Sequence, residues 1–418
     1  MTRIRALILG LLCVVVLATN LMAITYTSGQ VGTCLKFYTN LGPTIQGAVN
    51  QMSPGGVLYV CPGIYNEQVV ITQPLTLNGV DTTNNPPSTH ASVVIAAPPT
   101  LGWATVPDLD GSGPIAAQLL INTVTTGDVN IYNLTVDGNN NQLPGCGPNL
   151  VGIYYRNASG TASYVNAINQ NVGPNGGCSL GFGIFVESGD SGSSTVTVAN
   201  SYVAAYSKNG IVARYPGTTA TFTTNAVFGL GLTAGDAENG IEFYGGAAGS
   251  AKFNTVMDNL WQNPATAAST GILVDDSANI VSNNNVIGND LVGIYYASVT
   301  AGAANGGTIN SNHVYATHVY DGIDVCSSNN TVNSNVVTGS DESGIHLDSG
   351  CASSGNGNAV QSNVLAAACA GILEDPTTTN TITGNFFNTV TYTIDNLSTT
   401  CGTPLSPVNG KQHVKVRP

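Results

Sequence analysis

A Gly-Ile step followed by residues that alternate between apolar and small or polar types is the dominant pattern along the chain. The step occurs nine times, at spacings of 22 to 31 residues: Gly152-Ile153, Gly183-Ile184, Gly210-Ile211, Gly240-Ile241, Gly271-Ile272, Gly293-Ile294, Gly322-Ile323, Gly344-Ile345 and Gly371-Ile372. An Asn-x-apolar motif lies 13 to 19 residues after each step: Asn166, Asn200, Asn225, Asn254, Asn285, Asn312, Asn335, Asn363 and Asn385, with Asn133 one repeat earlier. Two motifs in phase over nine repeats indicate one structural unit per repeat.

Each repeat contains short runs in which β-branched and aromatic residues alternate with small or polar ones, as in Gly344-Ile345-His346-Leu347. A period of two is typical of strands, and no apolar spacing of three and four persists long enough for helices. The pattern therefore predicts an all-β protein, a parallel β-helix (solenoid) of roughly a dozen coils with one coil per repeat.

Equivalent positions of such coils form ladders, because stacked strands lie about 4.8 Å apart. Asn at a bend tolerates left-handed backbone angles, and its buried amide can bond to the Asn above and below. We therefore expect the recurring Asn residues to belong to the scaffold and not to a functional site.

The two ends of a β-helix expose strand edges and need covers. Apolar residues at 45, 48, 49 and 52 have helical spacing and Pro54-Gly55-Gly56 ends the segment, which predicts an N-terminal cap helix over 44–52. The expected organisation is a signal peptide at 1–23, an N-terminal cap region at 24–55, a parallel β-helix at 56–400 and a C-terminal tail at 401–418 that closes the other end.

Residues 1–23 have the features of a secretory signal, with Arg3 and Arg5 before an apolar run from Ala6 to Ala18 and small residues at Ala18 and Ala23. The run is shorter than the about 20 residues that a membrane-spanning helix needs. We therefore expect a secreted protein, extracellular or periplasmic, without membrane insertion.

Eight cysteines remain once Cys13, inside the signal, is set aside. An even number in an exported chain predicts disulfides in place of metal sites. Pairing in sequence order joins residues 25 to 32 apart, close to one coil, and so places each pair within the distance that a disulfide tolerates. The expected bonds are Cys34–Cys61, Cys146–Cys178, Cys326–Cys351 and Cys369–Cys401.

Charged residues make up only 8% of the chain, against roughly 25% in an average soluble domain. Acidic residues outnumber basic ones 23 to 10, for a net charge of −13. Since nucleic-acid affinity comes mainly from cations that neutralise phosphates, nucleic-acid binding is not expected.

The stretch GVLYVCPGIYNEQVVI at 56–71, followed by PLTLNGV at 74–80, resembles the opening coils of the pectin-lyase-like superfamily. It is especially similar to the PGxYxExVxI opening of pectin methylesterases and of right-handed β-helix proteins grouped as carbohydrate-binding and sugar-hydrolysis domains. The segment NLTVDG at 133–138 resembles a strand-and-turn piece of polygalacturonases. The resemblance covers about residues 40–390 and implies a carbohydrate-binding β-helix.

The catalytic motifs of these families are missing from this chain. It has no Gln-Asp-Thr or Asp-x-x-Phe-Gly motif of the methylesterases, and Asp275-Asp276 alone matches the polygalacturonase set. No Arg lies between Arg214 and Arg417 to act as the base of a pectate lyase. The resemblance therefore specifies the fold and leaves the activity open.

If the Ile of each step points inward, the residues two and four positions after each Gly point outward from one sheet. The first column is then Tyr154, Phe185, Val212, Glu242, Leu273, Tyr295, Asp324, His346 and Leu373. The second is Arg156, Glu187, Arg214, Tyr244, Asp275, Ala297, Cys326, Asp348 and Asp375. Ionisable residues are scarce elsewhere, so their concentration on this face marks a candidate site.

We predict Asp324, His346 and Asp348 as catalytic residues, because they lie on adjacent coils of this face, with further acids at its edge: Asp321, Asp341 and Glu342. Carboxylates about 5 Å apart raise one another's pKa, which gives one protonated acid and one ionised base or nucleophile, as glycoside hydrolysis requires. The alternative is that these residues only keep a charge-poor protein in solution.

Basic and aromatic residues of the same face predict sugar binding through stacking and hydrogen bonds. The predicted substrate-binding residues are Tyr154, Arg156, Arg214, Glu242, Tyr244, Asp275 and Tyr295. The alternative is that the aromatic residues simply stack in a sheet ladder.

A third interpretation of the acidic residues is a cation site. Between Asp236 and Asp375 there are 14 acidic residues and one basic residue, Lys252, and such oxygen ligands suit Ca²⁺. No calcium-binding loop motif occurs, so any ion would be held by residues of different coils. The sequence assigns no metal-ligating residues and leaves Ca²⁺ open.

The sequence thus predicts a secreted β-helix protein, expected as a monomer, that binds a polysaccharide or cell-surface glycan along one face. Cleavage of a neutral or weakly charged polysaccharide by carboxylate acid–base chemistry, as a glycoside hydrolase or lyase, is consistent with the site and is left open. The alternative is a non-catalytic extracellular structural or adhesive rod.

Overall fold

A computed structural model describes residues 25–80, 92–98, 104–111, 113–139, 148–171, 180–189, 191–263, 267–300, 305–352, 355–396 and 401. Within these residues the chain winds as a parallel β-helix, in which successive coils add strands to three long sheets. This confirms the predicted fold class. The expected signal peptide at 1–23 lies outside the described residues.

Three sheets, named A, B and C, form the sides of the rod. Sheet A contains 13 strands: Tyr26–Val31, Met52–Val60, Leu75–Gly79, Val129–Tyr132, Gly160–Ser163, Ser194–Ala199, Thr218–Thr223, Ala248–Lys252, Val281–Asn283, Thr308–Asn310, Thr331–Asn333, Ala359–Gln361 and Thr381–Thr383. Sheet B contains 12: Gly63–Asn66, Val93–Ala96, Thr135–Asp137, Asn166–Ile168, Tyr202–Ala204, Ala226–Thr233, Thr255–Trp261, Val286–Gly288, His313–Tyr315, Val336–Thr338, Val364–Ala366 and Phe386–Asn388.

Sheet C contains the strands that follow the Gly-Ile steps. Its parallel strands are Val69–Ile71, Pro114–Asn122, Asn149–Arg156, Phe182–Glu187, Asn209–Arg214, Asn239–Tyr244, Thr270–Asp275, Val292–Ala297, Ile323–Cys326, Ser343–Leu347, Ala370–Glu374 and Tyr392–Asp395. One short strand, Val106–Pro107, pairs antiparallel with Pro114–Asn122.

A helix of five residues, Ile45–Val49, lies inside the segment predicted to be helical. The side chain of Thr44 accepts a hydrogen bond from the backbone N–H of Gly47, and Glu67 accepts two from the first turn. Its role as a cap stays a prediction. Sheet A begins earlier, at Tyr26–Val31, within the segment assigned to the N-terminal cap region.

The isoleucine of every Gly-Ile step is fully buried in one core that runs along the rod: Ile153, Ile184, Ile211, Ile241, Ile272, Ile294, Ile323, Ile345 and Ile372. The glycine before it is needed because stacked backbones approach closely at that position. A Cβ at Gly210 would lie 2.6 Å from the carbonyl oxygen of Gly240 in the next coil and 2.5 Å from a methyl group of Val227.

Seven of the recurring Asn side chains form a continuous ladder at the bend between sheets A and B: Asn225, Asn254, Asn285, Asn312, Asn335, Asn363 and Asn385. The Nδ2 of each donates to the Oδ1 of the next at 2.9 to 3.0 Å. The ladder confirms that these residues belong to the scaffold.

The first three members of the predicted Asn column are out of register, and this part of the prediction is wrong. Asn133 and Asn200 lie one residue before the ladder position, and Asn166 lies one residue after it as the first residue of a sheet B strand. The left-handed backbone also belongs to the residue before the ladder, as at Asn284 with a φ of 53°.

Three of the four expected disulfides are present: Cys34–Cys61, Cys326–Cys351 and Cys369–Cys401. Their Cα atoms are 5.1 to 5.7 Å apart. Pairing of cysteines about one coil apart is thus confirmed for these six. The fourth expected bond, Cys146–Cys178, lies outside the described residues. In the part of the chain that the structure describes, no helix has the length and hydrophobicity needed to cross a bilayer.

Replacing Asn335 by Leu is expected to lower the free energy of unfolding by about 1–3 kcal/mol. Asn335 is fully buried, and its amide bonds to Asn312, to Asn363 and to the carbonyl of Ile309. Asn333→Leu is the matched control, because Asn333 is partly exposed on sheet A, and it should cost less than about 0.5 kcal/mol. Urea unfolding measures both variants; equal losses would show that the ladder does not stabilise the rod.

Candidate functional site

The outer face of sheet C carries the two predicted columns in the expected register. The first column runs through Tyr154, Phe185, Val212, Glu242, Leu273, Tyr295, Asp324, His346 and Leu373. The second runs through Arg156, Glu187, Arg214, Tyr244, Asp275, Ala297 and Cys326. Asp348 and Asp375 directly follow the last strand residues of their own coils.

Much of this face is closed to solvent, although its side chains leave the sheet on the outer side. Tyr154 and Phe185 are fully buried, and Arg214 is 3% exposed. Tyr154 and Phe185 belong to a second apolar cluster, separate from the core, against which Val106 packs. The segment around Val106 therefore covers the N-terminal half of the face.

Arg214 lies among aromatic rings in this covered half. Its guanidinium carbon is 5.2 to 5.5 Å from the ring centres of Phe182, Phe185 and Tyr244. Favourable cation–π contacts of this kind stabilise a cation that has left water. Arg156, in contrast, is partly exposed and donates to Oδ1 of Asn122 at 3.3 Å.

Two acids of the middle coils, Asp275 and Glu242, are buried. Burial, and then the charge of Asp276, raises the pKa of Asp275 to about 8. Glu242 is 2% exposed and accepts a hydrogen bond from Nδ2 of Asn209. Both acids are therefore closed to ligand in this structure.

The two tyrosines predicted to bind sugar in this region differ in exposure. Tyr244 is partly exposed, with its ring centre 5.8 Å from that of Tyr215 in an edge-on arrangement. Tyr295 is 2% exposed and packs in an apolar cluster with Cys326 and Cys351, which form a disulfide. Tyr244 thus offers a ring face to ligand, whereas Tyr295 supports the sheet.

His346 lies between two carboxylates of the neighbouring coils. Its Nδ1 is 3.2 Å from Oδ2 of Asp321, and its Nε2 is 3.5 Å from Oδ1 of Asp375. Ser343 donates its N–H and its hydroxyl to Asp321, and Ser349 donates the same two groups to Asp375. The serines orient both carboxylates toward the imidazole.

The pKa shifts of His346 and Asp375 both indicate that these two side chains form an ion pair. Burial opposes protonation of His346, but the charge of Asp321 and the hydrogen bonds to Asp321 and Asp375 raise its pKa well above the usual range. Burial likewise acts to raise the pKa of Asp375, yet the hydrogen bonds from His346 and Ser349 hold it well below the usual range. The imidazole is therefore an imidazolium paired with ionised Asp375 near neutral pH.

Asp324 pairs with His346 on the neighbouring strand of sheet C. Whereas His346 is charged, Asp324 is neutral. Burial raises the pKa of Asp324 well above the usual range, with His346 opposing and Asp348 adding to the shift. The Oδ1 of Asp324 is buried and receives no hydrogen bond from the described residues. Asp348 accepts from the N–H of Gly350 at 2.6 Å. The structure thus brings the three predicted catalytic residues together, with Asp324 as a protonated acid.

Two groups of side chains here have donor atoms within 4.8 Å of one another: Asp321, Asp324 and His346, and then His346, Asp348 and Asp375. Adjacent coils supply them, as expected for any cation site in this chain. Carboxylate oxygens suit hard cations such as Ca²⁺. The ion pairs of His346 also account for the close approach without a cation.

Sequence reasoning missed part of this arrangement. Asp375 stands in the second predicted column, four residues after Gly371, so the periodicity could have selected it as a partner of His346. Asp321 and Glu342 were placed at the edge, and burial and then Asp321 raise the pKa of Glu342 to about 8. The covering segment near Val106 has no periodic signal and was not predictable.

Comparisons with known proteins agree on the fold. The family described as periplasmic copper-binding protein (NosD) matches residues 190–401. No curated protein sequence matches the chain.

Solved structures of the same architecture share low sequence identity with this chain. The A-module of mannuronan C-5 epimerase AlgE4 from Azotobacter vinelandii is 14% identical with a TM-score of 0.59, over 81% of this chain and 88% of that one. The Dettilon tailspike protein is 16% identical with a TM-score of 0.58, over 83% and 63%. The catalytic unit of a GH87 α-1,3-glucanase from Streptomyces thermodiastaticus is 14% identical with a TM-score of 0.51, over 86% and 67%. These matches confirm the right-handed parallel β-helix fold.

His346 is expected to stay protonated well above its ordinary pKa of about 6.5. In an NMR titration, Asp375→Asn should move the midpoint of the imidazole to lower pH, because it removes one of the two carboxylates. Since the folded pKa exceeds the unfolded one, the stabilisation is complete below about pH 6.5 and is lost as the pH rises through the folded value. The difference in unfolding free energy between wild type and His346→Gln should therefore shrink toward alkaline pH. A difference that grows with pH would contradict this assignment.

Proposed function

The chain belongs to the family described as periplasmic copper-binding protein (NosD), and from this premise we propose that it is an exported β-helix protein that binds a polysaccharide along the outer face of sheet C. We further propose that it cleaves a neutral or weakly charged glycan by carboxylate acid–base chemistry. The observation behind the proposal is the meeting of Asp324, His346 and Asp348 on adjacent coils.

The three residues have distinct proposed roles. Asp324 is the general acid, because burial keeps its carboxyl group protonated. Asp348 is the base or nucleophile, and its second role is to hold the proton on Asp324 by like-charge repulsion. The imidazolium of His346 balances the carboxylates around it, so that an anionic cluster can persist in a partly buried site.

Sugar binding along sheet C would use the partly exposed members of the predicted set, Tyr244 and Arg156, which lie three and six coils from Asp324. An exposed tyrosine ring and a guanidinium provide the stacking surface and the hydrogen-bond donors that sugars use. Tyr154, Arg214, Glu242, Asp275 and Tyr295 are closed to ligand in this structure, so a direct role for them requires that their cover move.

A neutral or weakly charged glycan is the proposed ligand because of the charge of this half of the rod. Fourteen acidic residues and one lysine lie between Asp236 and Asp375, and a polyanion would be repelled. Bound Ca²⁺ between the two sets of carboxylates would reverse this expectation. Two solved structures of this fold are named for activities on polysaccharides, mannuronan and α-1,3-glucan, which fits a polysaccharide ligand.

Copper, which the family description names, does not fit the donors of the described residues. Copper favours imidazole, thiolate and thioether ligands. All six described cysteines are in disulfides, and each of the two groups of clustered donors contains one histidine among carboxylates. No step of the proposed chemistry therefore uses copper.

Export is supported by two observations. The three disulfides need an oxidising compartment to form and persist. The family description is that of periplasmic proteins. We therefore propose a periplasmic or extracellular location for the mature chain.

A panel of neutral and acidic polysaccharides, assayed for new reducing ends and for unsaturated uronate absorbance, tests this function. The expected result is new reducing ends from a neutral glycan, with the rate reduced about 10²–10⁴-fold by Asp324→Asn. Asp128→Asn is the matched control, because Asp128 is exposed and lies on a distant coil, and it should leave the rate unchanged. Binding without cleavage of any glycan would favour the non-catalytic rod.

The ligand class is tested by binding with and without EDTA. Neutral glycan binding should not respond to the chelator, whereas any polyuronate binding should be lost with EDTA and weaken with salt, since it would depend on bridging Ca²⁺. Tight polyuronate binding that survives EDTA, with neutral glycans inert in the same titration, would overturn the proposed ligand.

A further inference from the structure

Residues 104–111, here called the strap, cross the outer face of sheet C over the N-terminal coils. Val106–Pro107 pairs antiparallel with Pro114–Asn122, off the path of the β-helix. Val106 packs on the apolar cluster that contains Tyr154, Phe185 and Val212. The strap is therefore an added layer on the rod and not part of a coil.

Polar contacts hold the strap on this surface at both of its ends. Gln68 donates to the carbonyl of Ala104 at 3.0 Å and accepts from its N–H at 2.8 Å. At the other end, the hydroxyl of Tyr215 donates to Oδ2 of Asp110 at 2.6 Å. Leu109 lies against Gly189, where an added Cβ would come within 2.9 Å of the Cβ of Leu109. The strap thus spans several coils between two surface anchors.

The buried anchor between them is a pair of carboxyl groups. Asp108 of the strap and Glu187 of sheet C are 5% and 0% exposed, and their side chains are in hydrogen-bond contact. The hydroxyl of Tyr154 donates to Oε2 of Glu187, while Oε1 of Glu187 receives no hydrogen bond from an N–H or O–H donor of the described residues. Two carboxyl groups can bond to each other only when one of them holds a proton.

We propose that the strap is a pH-sensitive cover, closed on sheet C while a proton on Glu187 bonds it to Asp108 and released when that proton is lost. Loss of the proton leaves two carboxylates in contact inside an apolar layer, where they repel strongly. Release uncovers Tyr154 and Phe185 and opens Arg214 to solvent.

The groups that face Glu187 set the pH of this change. Burial, and then the hydrogen bond and charge of Asp108, raise the pKa of Glu187 to about 8, against the opposing effects of Tyr154 and Arg214. Arg156 and Arg214 are its neighbours in the ladder on either side. Because the closed state binds the proton more tightly than the open state, the contribution of the proton to closure is complete below the ordinary carboxyl pKa of about 4.3 and is lost as the pH rises to about 8.

Hydrogen exchange of the full mature chain tests the strap without reference to any ligand. In wild type, amides of residues 104–111 should lose up to about tenfold of their protection, after correction for intrinsic rates, for each pH unit between about 4.3 and about 8, and the protection should level off above about pH 8. Glu187→Gln supplies a permanent hydrogen-bond donor to Asp108, so its strap should stay protected across the same range. Protection that falls equally in wild type and Glu187→Gln would overturn the proposal, as would wild-type protection that does not fall.

Glu238→Gln is the matched control. Glu238 is 1% exposed, and burial raises its pKa to about 9, but its backbone partner is Leu230 and not a residue of the strap. This variant should show the wild-type pH dependence. If Glu187→Gln does not fold, Asp108→Asn provides the same permanent donor from the strap side and should give the same pH-independent protection; wild-type behaviour in that variant would also overturn the proposal.

The consequence for ligand binding rests on the proposed function. If sugars bind this face, a neutral hexasaccharide should bind about tenfold tighter to wild type when the strap is open, at about pH 9, than at about pH 7, and equally at both in Glu187→Gln. If hydrogen exchange shows that the strap opens while the sugar affinity does not change, the pH-sensitive cover is supported. The proposal that sugars bind the N-terminal part of this face is then contradicted. Failure of the pH-sensitive cover can thus be distinguished from failure of the proposed sugar binding.

Discussion

Every coil of this rod lies about 4.8 Å from the next, and this fixed separation decides which residues can occupy each position. A polar group inside the stack meets its own equivalent above and below, so it must be able both to donate and to accept. Asn meets that requirement, and the ladder from Asn225 to Asn385 satisfies each amide with the next. The glycine of each Gly-Ile step answers the same constraint, since a side chain there would collide with the neighbouring backbone.

The same separation creates an electrostatic problem on sheet C, where acids of neighbouring coils lie close together in a chain with 10 basic residues. The protein resolves it in two ways. Asp321 and Asp375 share one imidazolium, while Glu187, Asp275 and Asp324 hold protons at pH values where free carboxyl groups would be ionised. Protons thus take the place of the missing lysines and arginines, and burial is what keeps them bound.

The repeating part of this structure could be predicted from the sequence because each coil restates the same pattern. The inward isoleucines, the face shared by Asp324 and His346, and pairings such as Cys326–Cys351 all follow from a period of about one coil. The predicted register is wrong at Asn166, because this residue fits the Asn-x-apolar motif although it lies one residue after the ladder position. A second Asn ladder, from Asn330 to Asn358, was not predicted, although Asn330-Thr331-Val332 and Asn358-Ala359-Val360 have the same Asn-x-apolar motif as the first.

The features that could not be predicted are those that do not repeat from coil to coil. The strap has no period, so the sequence gives no sign that it crosses sheet C and buries Tyr154 and Arg214. The orientation of Asp321 toward His346 depends on the hydroxyl of Ser343, a contact between coils that spacing alone does not specify. Periodicity therefore identifies which residues share a face, while cover and orientation come from single contacts.

Two of the disulfides lie at opposite ends of the rod. Cys34–Cys61 joins the first two strands of sheet A, and Cys369–Cys401 ties the chain beyond the last strand of sheet C to the coil before it. A stacked rod unravels from its ends, because a terminal coil has a neighbour on one side only. Under tension, these covalent bonds would bear the load before the hydrogen bonds of the interior coils did. A rod of this design can therefore resist being pulled apart coil by coil, even when a large ligand holds its surface.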